Sequence, residues 1–266
     1  MARDWICRGG ALAAAAAFVA VWLADPVFSP DLLVQTLWKS LLSRILGSLV
    51  FVFVLMYLRY RVWQRPRRGT LWAVLPALAV VVNNLPILAL ATGSARVERT
   101  DLIWLFALDA LFIGVFEEMA FRGVLFPVLL ERYGETRRGI VCTTVLSSAV
   151  FGLIHLVNLA EGAGLGPTVL QVGYSFLIGG MCAIVLLRSG NLLFCILLHG
   201  IYDFCGGLLP TLGGGSWWDT PTVIVTAVLA VAVTAWMLIL LFRTGPDEIR
   251  WMKPKGEKNN DGYDSD

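Results

Sequence analysis

Apolar runs long enough to cross a bilayer recur through most of this chain, and no other feature constrains its fold as strongly. A membrane-spanning helix needs roughly 20 mostly apolar residues. Runs of that kind stand at about 9–24, 41–58, 70–92, 102–130, 139–160, 168–188, 191–209 and 221–242. Polar turns rich in Pro or Gly separate many of them, among them ADPVFSPD, QRPRRG, GAGLGP, LRSGN and GGGSWWDTP. Composition agrees, because only 15% of the 266 residues are charged and the mean hydropathy is +0.74, where soluble domains carry about 25% charge. The expected fold is an all-α integral membrane protein with about eight transmembrane helices.

Lys and Arg in short loops set the orientation of such a bundle. With the N-terminus inside, sixteen of the 21 Lys and Arg fall in cytoplasmic segments. Four (Lys39, Arg44, Arg96 and Arg99) fall outside, and Arg122 lies within a span. Both termini are therefore expected in the cytoplasm. Trp217 and Trp218, beside the last external loop, fit an interfacial aromatic belt. Residues 1–24 begin like a secretory signal, but Trp22 spoils the best cleavage site, after Ala24, so they read as an uncleaved first span. The chain divides into three N-terminal helices over 1–100, a transmembrane core over 101–242, and a polar tail over 243–266 that reads as flexible. A formal net charge of +2 gives no ground for a nucleic-acid partner. The lipid bilayer is the evident partner. Five cysteines without a C-x-x-C indicate neither a disulfide framework nor a zinc knuckle.

Few acidic residues fall well within the apolar runs: Asp109, Glu117, Glu118 and Asp203. Both histidines, His155 and His199, lie there too. A charge at mid-span costs about 2.5–3.5 kcal/mol on insertion scales, so such groups face a bundle interior and mark function. Glu118 and Arg122 stand at i,i+4 with the Glu first, the better order for a helical ion pair. Glu117 points ~100° away around the helix and has no partner on it. An unpaired buried carboxylate is a candidate proton acceptor. Asp109, two turns earlier, either tunes the site or bonds another span. At ~1.5 Å per residue, Glu117 lies ~20 Å from the end of its run, His155 ~22 Å, and His199 and Asp203 ~12 and ~18 Å. Three helices thus carry their strongly polar groups at nearly one level.

In chain order these residues spell EEMAFR, FGLIH and HGIYD. The set resembles the CPBP family of intramembrane proteases, which includes type II CAAX prenyl endopeptidases and bacterial Abi-type relatives. About 101–210 carries the resemblance. It implies a glutamate-dependent peptidase; no cofactor is expected, with a metal left open as a rival reading. In it Glu117 and His155 activate the attacking water, and His199 and the residue at 203 stabilise the oxyanion. Glu118 and Arg122 would complete and orient the first motif, and Phe151 would pack the site. One departure stands out: position 203 holds Asp203 where the commonest form has Asn. A carboxylate donates only when protonated. Asp203 therefore either keeps a proton or orients His199 as a positively charged donor, and the second is favoured.

Three rival chemistries use the same residues. Glu117, His155, His199 and Asp203 could ligate zinc, although no H-E-x-x-H is present. Cys195 and His199 stand four apart and could form a nucleophilic dyad, against the plainer reading of Cys195 as a small buried hydrophobe. A carrier or scaffold could use the buried groups as a proton relay, with NNLP at Asn83–Pro86 breaking a helix, but no inverted repeat is visible. The expected partner is a membrane-embedded peptide or protein substrate. The short Arg-rich loops point to a bacterial inner membrane.

Overall fold

The computed structural model describes residues 2–216 and 220–252. Among the described residues there are ten α-helices: α1 (Ala2–Ala24), α2 (Leu32–Leu58), α3 (Thr70–Asn83), α4 (Ile87–Thr92), α5 (Ile103–Glu118), α6 (Phe126–Tyr133), α7 (Arg137–Leu153), α8 (Leu165–Ser189), α9 (Leu192–Leu212) and α10 (Thr220–Arg243). Among the described residues six helical segments are long and apolar enough to cross a membrane: 4–24, 32–58, 137–159, 165–189, 192–212 and 220–243. This is an integral, multi-pass membrane protein.

The other two runs expected to span are built differently. The run at 70–92 breaks into α3 and α4 at Asn84–Pro86, where Pro86 can give no N–H to the ladder. Asn83 Nδ2 donates to Thr226 Oγ1 of α10 at 2.8 Å, and Asn84 Nδ2 donates to the Tyr202 carbonyl of α9 at 3.0 Å. Those bonds give the broken end polar partners inside the bundle. The run at 102–130 is helical from Ile103 to Tyr133, but a π-helical turn over Met119–Leu125 interrupts it. The Phe126 N–H reaches back five residues to the Phe121 carbonyl. Single π turns of this kind gather at functional sites.

Two expected boundaries move. Helix α2 begins at Leu32, not near 41, because Asp31 caps it, accepting from the N–H groups of Leu33 and Val34 at 2.9 and 3.2 Å. Lys39 therefore lies within a spanning helix and not in an external loop, and Arg44 moves from the first turn of that helix to about its fourth. Of the polar stretch 243–266, the described part runs to 252. There Pro246–Met252 forms a 3₁₀ turn whose Ile249 and Met252 are buried. Glu248 fastens it, accepting from Arg188 at 2.7 Å through its side chain and from Arg67 at 2.7 Å through its carbonyl. Residues 253–266 and the Trp217–Trp218 pair lie outside the described residues. A two-stranded antiparallel ribbon also departs from the all-α expectation: β1 (Ala95–Val97) pairs with β2 (Gly213–Gly215) and closes one end of the bundle against α9.

Half of the spanning stretch of α8 and of α9 is buried within the protein, against 11% for α1 and α10. The first pair is central and the second peripheral. Helix α5 packs chiefly on α9 and α2. Its approach to α9 depends on two glycines facing each other. A Cβ on Gly114 would stand 2.8 Å from the Ile196 carbonyl and 2.9 Å from the Gly200 nitrogen. Small residues of this kind let helix backbones touch in membranes, where packing replaces the hydrophobic drive. That contact lies about one turn from the two glutamates on α5 and directly beside His199 on α9.

Candidate active site

The close approach of α5 and α9 puts Glu118 against His199. Glu118 Oε1 accepts from His199 Nδ1 at 2.7 Å and from Arg122 Nη1 at 3.0 Å. Glu118 and Arg122 have fully buried side chains, and His199 is 6% exposed. The carboxylate only accepts, so His199 Nδ1 carries the proton. Arg122 lies over the Phe151 ring, 4.2 Å from its centroid, in a cation–π contact. Phe151 also meets both histidines edge to face, with centroids 5.4 Å from His155 and 5.7 Å from His199. One aromatic ring therefore spaces the two imidazoles and covers the cation beneath them.

The other imidazole nitrogen faces acid. His199 Nε2 is 3.4 Å from Asp203 Oδ2 and 3.7 Å from Glu117 Oε2. The Asp203 oxygen has no hydrogen-bond partner, so the 3.4 Å approach is an electrostatic contact only. Asp203 was expected to orient His199 across the i,i+4 step. The structure gives that hydrogen bond to Glu118, which reaches Nδ1 because α5 and α9 touch. Glu117 meets a second cation from a helix that the motifs do not include: Arg44 Nη1 of α2 stands 4.0 Å from Glu117 Oε1.

These groups wall a cavity of about 370 Å³. Arg44, Glu117, His155, His199 and Asp203 line it, together with Phe151 and, from α8, Gln171, Tyr174 and Ser175. His155 sits on a 3₁₀ turn, Ile154–Leu159, that ends α7. Its Nδ1 lies 3.0 Å from the Phe151 carbonyl. A carbonyl only accepts, so Nδ1 is a protonated nitrogen, and in the neutral imidazole Nε2 keeps a free lone pair. A second, mostly apolar cavity of about 230 Å³ lies between α3, α8 and α10 and shares Tyr174, Ile178 and Tyr202 with the first.

Every sequence-derived site residue is accounted for in this geometry. Glu117, Glu118, Arg122, His199 and Asp203 form one contact network, and His155 joins them across the cavity through Phe151. Asp109 interacts with Ser40 and Arg44 of α2, so it bonds another span and sits one contact from the network. Cys195 is fully buried, donates to the Cys182 carbonyl at 3.2 Å and is not among the cavity walls. Among the described residues no group of three or more His, Cys, Asp or Glu is placed to hold a metal ion.

Comparison with protein families matches residues 99–205 to the description type II CAAX prenyl endopeptidase Rce1-like. The chain is thus similar to the CAAX protease family over about two fifths of its length. The matched stretch runs from the start of α5 to Asp203 and its neighbours on α9, and so contains all six motif residues. That description is of an endopeptidase. No curated protein and no solved structure matches the chain. Sequence reasoning missed Arg44, which lies outside the matched stretch. Its signal was the Ser-Pro-Asp of 29–31, an N-cap that moves the helix start nine residues upstream.

Proposed function

We propose that the protein is an intramembrane endopeptidase of the glutamic type, with a substrate that is embedded in the membrane or carries a lipidated or sorting C-terminus. The observation that carries this reading is the cavity itself. It presents a carboxylate without a close hydrogen bond, Glu117, and an imidazole with a free Nε2, His155. Water held between them loses a proton as it attacks the peptide carbonyl, which is general-base catalysis by a desolvated group. Glu118 and Arg122 hold His199 in place with its Nε2 toward the reacting atoms. The adjoining apolar cavity suits a substrate with a hydrocarbon portion. The chemistry is assigned to 101–242, with the helices of 1–100 as a wall. All eight apolar runs are placed in a bacterial inner membrane with both termini cytoplasmic.

The deciding experiment compares membrane and secreted peptidomes of cells carrying the active protein, Glu117→Gln or His155→Ala. Cleavage products present only with the wild type support the reading. Products unchanged in both variants, from protein that is folded and membrane-inserted, overturn it. The purified enzyme is then treated with a chelator and its metal content measured. Activity that persists without metal supports the glutamic mechanism, and activity lost on chelation and restored by zinc assigns the same residues as ligands.

A further inference from the structure

His199 gives its Nδ1–H to Glu118, and two further carboxylates crowd its other nitrogen. Glu118 occupies Nδ1 at 2.7 Å, while Nε2 faces Asp203 and Glu117 at 3.4 and 3.7 Å. Asp203 adds a carboxylate to the wall, and an ionised carboxylate repels charge developing on an attacked carbonyl. The Asn158 amide is given to Gln171 at 2.8 Å. The hydroxyls of Tyr174, Tyr202 and Ser175 are neutral donors with no charge to set against an oxyanion. An intermediate formed beside Glu117 lacks an uncontested cationic donor from all of these residues.

Arg44 supplies one. It is the only Lys or Arg among the described residues that wall the cavity. Its guanidinium packs over the Phe116 ring, 5.2 Å from the centroid, and its 4.0 Å approach to Glu117 is too long for a hydrogen bond. The Arg44 side chain is 35% exposed, and with Phe116 it forms the partition to a neighbouring cavity of about 540 Å³. Arg122 shows what a closed structural pair looks like in this protein, at 3.0 Å from its carboxylate and fully buried. Arg44 sits ~18 Å along α2 at ~1.5 Å per residue, with its guanidinium in the cavity wall and Asp109 as a further acidic neighbour.

We propose that Arg44 is a catalytic residue, an oxyanion-stabilising guanidinium that the motif set does not contain. The proposal rests on the peptidase reading of the same cavity. Water gives a proton to Glu117 as its oxygen bonds the scissile carbon, and the carbonyl π pair moves onto oxygen. Arg44 donates to that oxyanion. On collapse the C–N bond breaks and the proton on Glu117 passes to the departing amine, so no outside reactant is needed.

The test uses the full chain in lipid bicelles with a quenched-fluorescent peptide library, and with a phosphinic isostere of its fastest-cleaved member. Arg44→Gln should lower kcat by ~10²–10³ with little change in KM, the cost of one oxyanion donor. It should weaken phosphinate binding in proportion. If Arg44 only positions Glu117, kcat falls while phosphinate affinity stays, and the proposal fails. Should Arg44→Gln not fold, Arg44→Lys keeps the charge and loses the planar fork. Phosphinate affinity equal to wild type in that variant overturns the proposal, and a loss of ~10-fold or more supports it. Cleavage lost in Glu117→Gln but untouched in Arg44→Gln refutes Arg44 alone. A wild type that neither cleaves the library nor binds the phosphinate refutes the peptidase reading, and Arg44's role with it.

Discussion

Glu118→Gln and Glu117→Gln are expected to part company in stability although the two residues are adjacent. Glu118 is fully buried and its Oε1 accepts from both Arg122 and His199. Changing it to Gln leaves the Arg122 guanidinium buried without a counter-charge, and breaking one partner of a buried pair costs about 3–5 kcal/mol. At about 1.4 kcal/mol per decade that is two to three and a half orders of magnitude in the folding equilibrium. Glu117 is 16% exposed to the cavity, and its cations stand at 3.7 and 4.0 Å. Its replacement by Gln should cost about 1 kcal/mol or less, the value of a solvated ion pair. Reversible unfolding in mixed detergent micelles, followed by tryptophan fluorescence, measures both. The double variant Glu118→Met/Arg122→Met removes the pair together and should recover all but the about 1–3 kcal/mol for an unpaired His199 Nδ1. It should not recover cleavage, because His199 has lost the group that orients it. A Glu118→Gln protein within 1 kcal/mol of wild type, or one no less stable than Glu117→Gln, refutes the reasoning.

Three further outcomes follow from particular contacts. Gly114→Ala places a Cβ 2.8 Å from one backbone atom and 2.9 Å from another on α9, so the helices must part. A misplacement near 1 Å can cost ~10²-fold in rate, and a variant that cleaves at the wild-type rate would show that the contact does not set the site. Cys195→Ser should keep cleavage within about twofold, since the thiol serves only a buried bond to the Cys182 carbonyl; an inactive, folded variant would reinstate a cysteine mechanism. At the start of α2, the Val34 N–H and then Arg99 hold the Asp31 carboxyl below its ordinary value. A depressed folded pKa means that this contribution is whole above about pH 3.9, the unfolded value, and is lost as pH falls through the lower one. Hydrogen exchange at Leu33 and Val34 should rise in that acid window in wild type. Asp31→Asn still caps but does not titrate, so it should show no such rise; the same rise in both proteins would disprove the linkage.

What could be read from residues alone was whatever one helix contains. Glu118 and Arg122 stand four apart on a single helix, so spacing exposes the pair before any fold is known. Polar groups inside apolar runs are rare enough that Glu117, His155, His199 and Asp203 declare themselves by cost. The bond that organises the site was not legible, because Glu118 and His199 are 81 residues apart and meet only where Gly114 lets α5 touch α9. The π turn over Met119–Leu125 was hidden for a related reason. Its five-residue hydrogen bonds are a choice of backbone that apolar residues on every side do not record. The β1–β2 ribbon escaped because one strand is Gly213–Gly215, which carries no side-chain alternation.

Arg44 is the more instructive omission, since a single boundary decided it. A helix start near 41 leaves Arg44 in the first turn, at the membrane surface, where an arginine calls for no explanation. The Asp31 cap moves the start to Leu32 and carries the same arginine into the bilayer beside Glu117 and Asp109. There its cost requires a partner or a task. Charge then balances across the site in two unlike halves: Arg122 closes on Glu118 out of reach of substrate, while Arg44 stands open toward Glu117 in the cavity wall. A chain that places two arginines near adjacent glutamates, one bound tightly and one loosely, has separated the group that holds the architecture from the group free to meet a charge that appears only during the reaction.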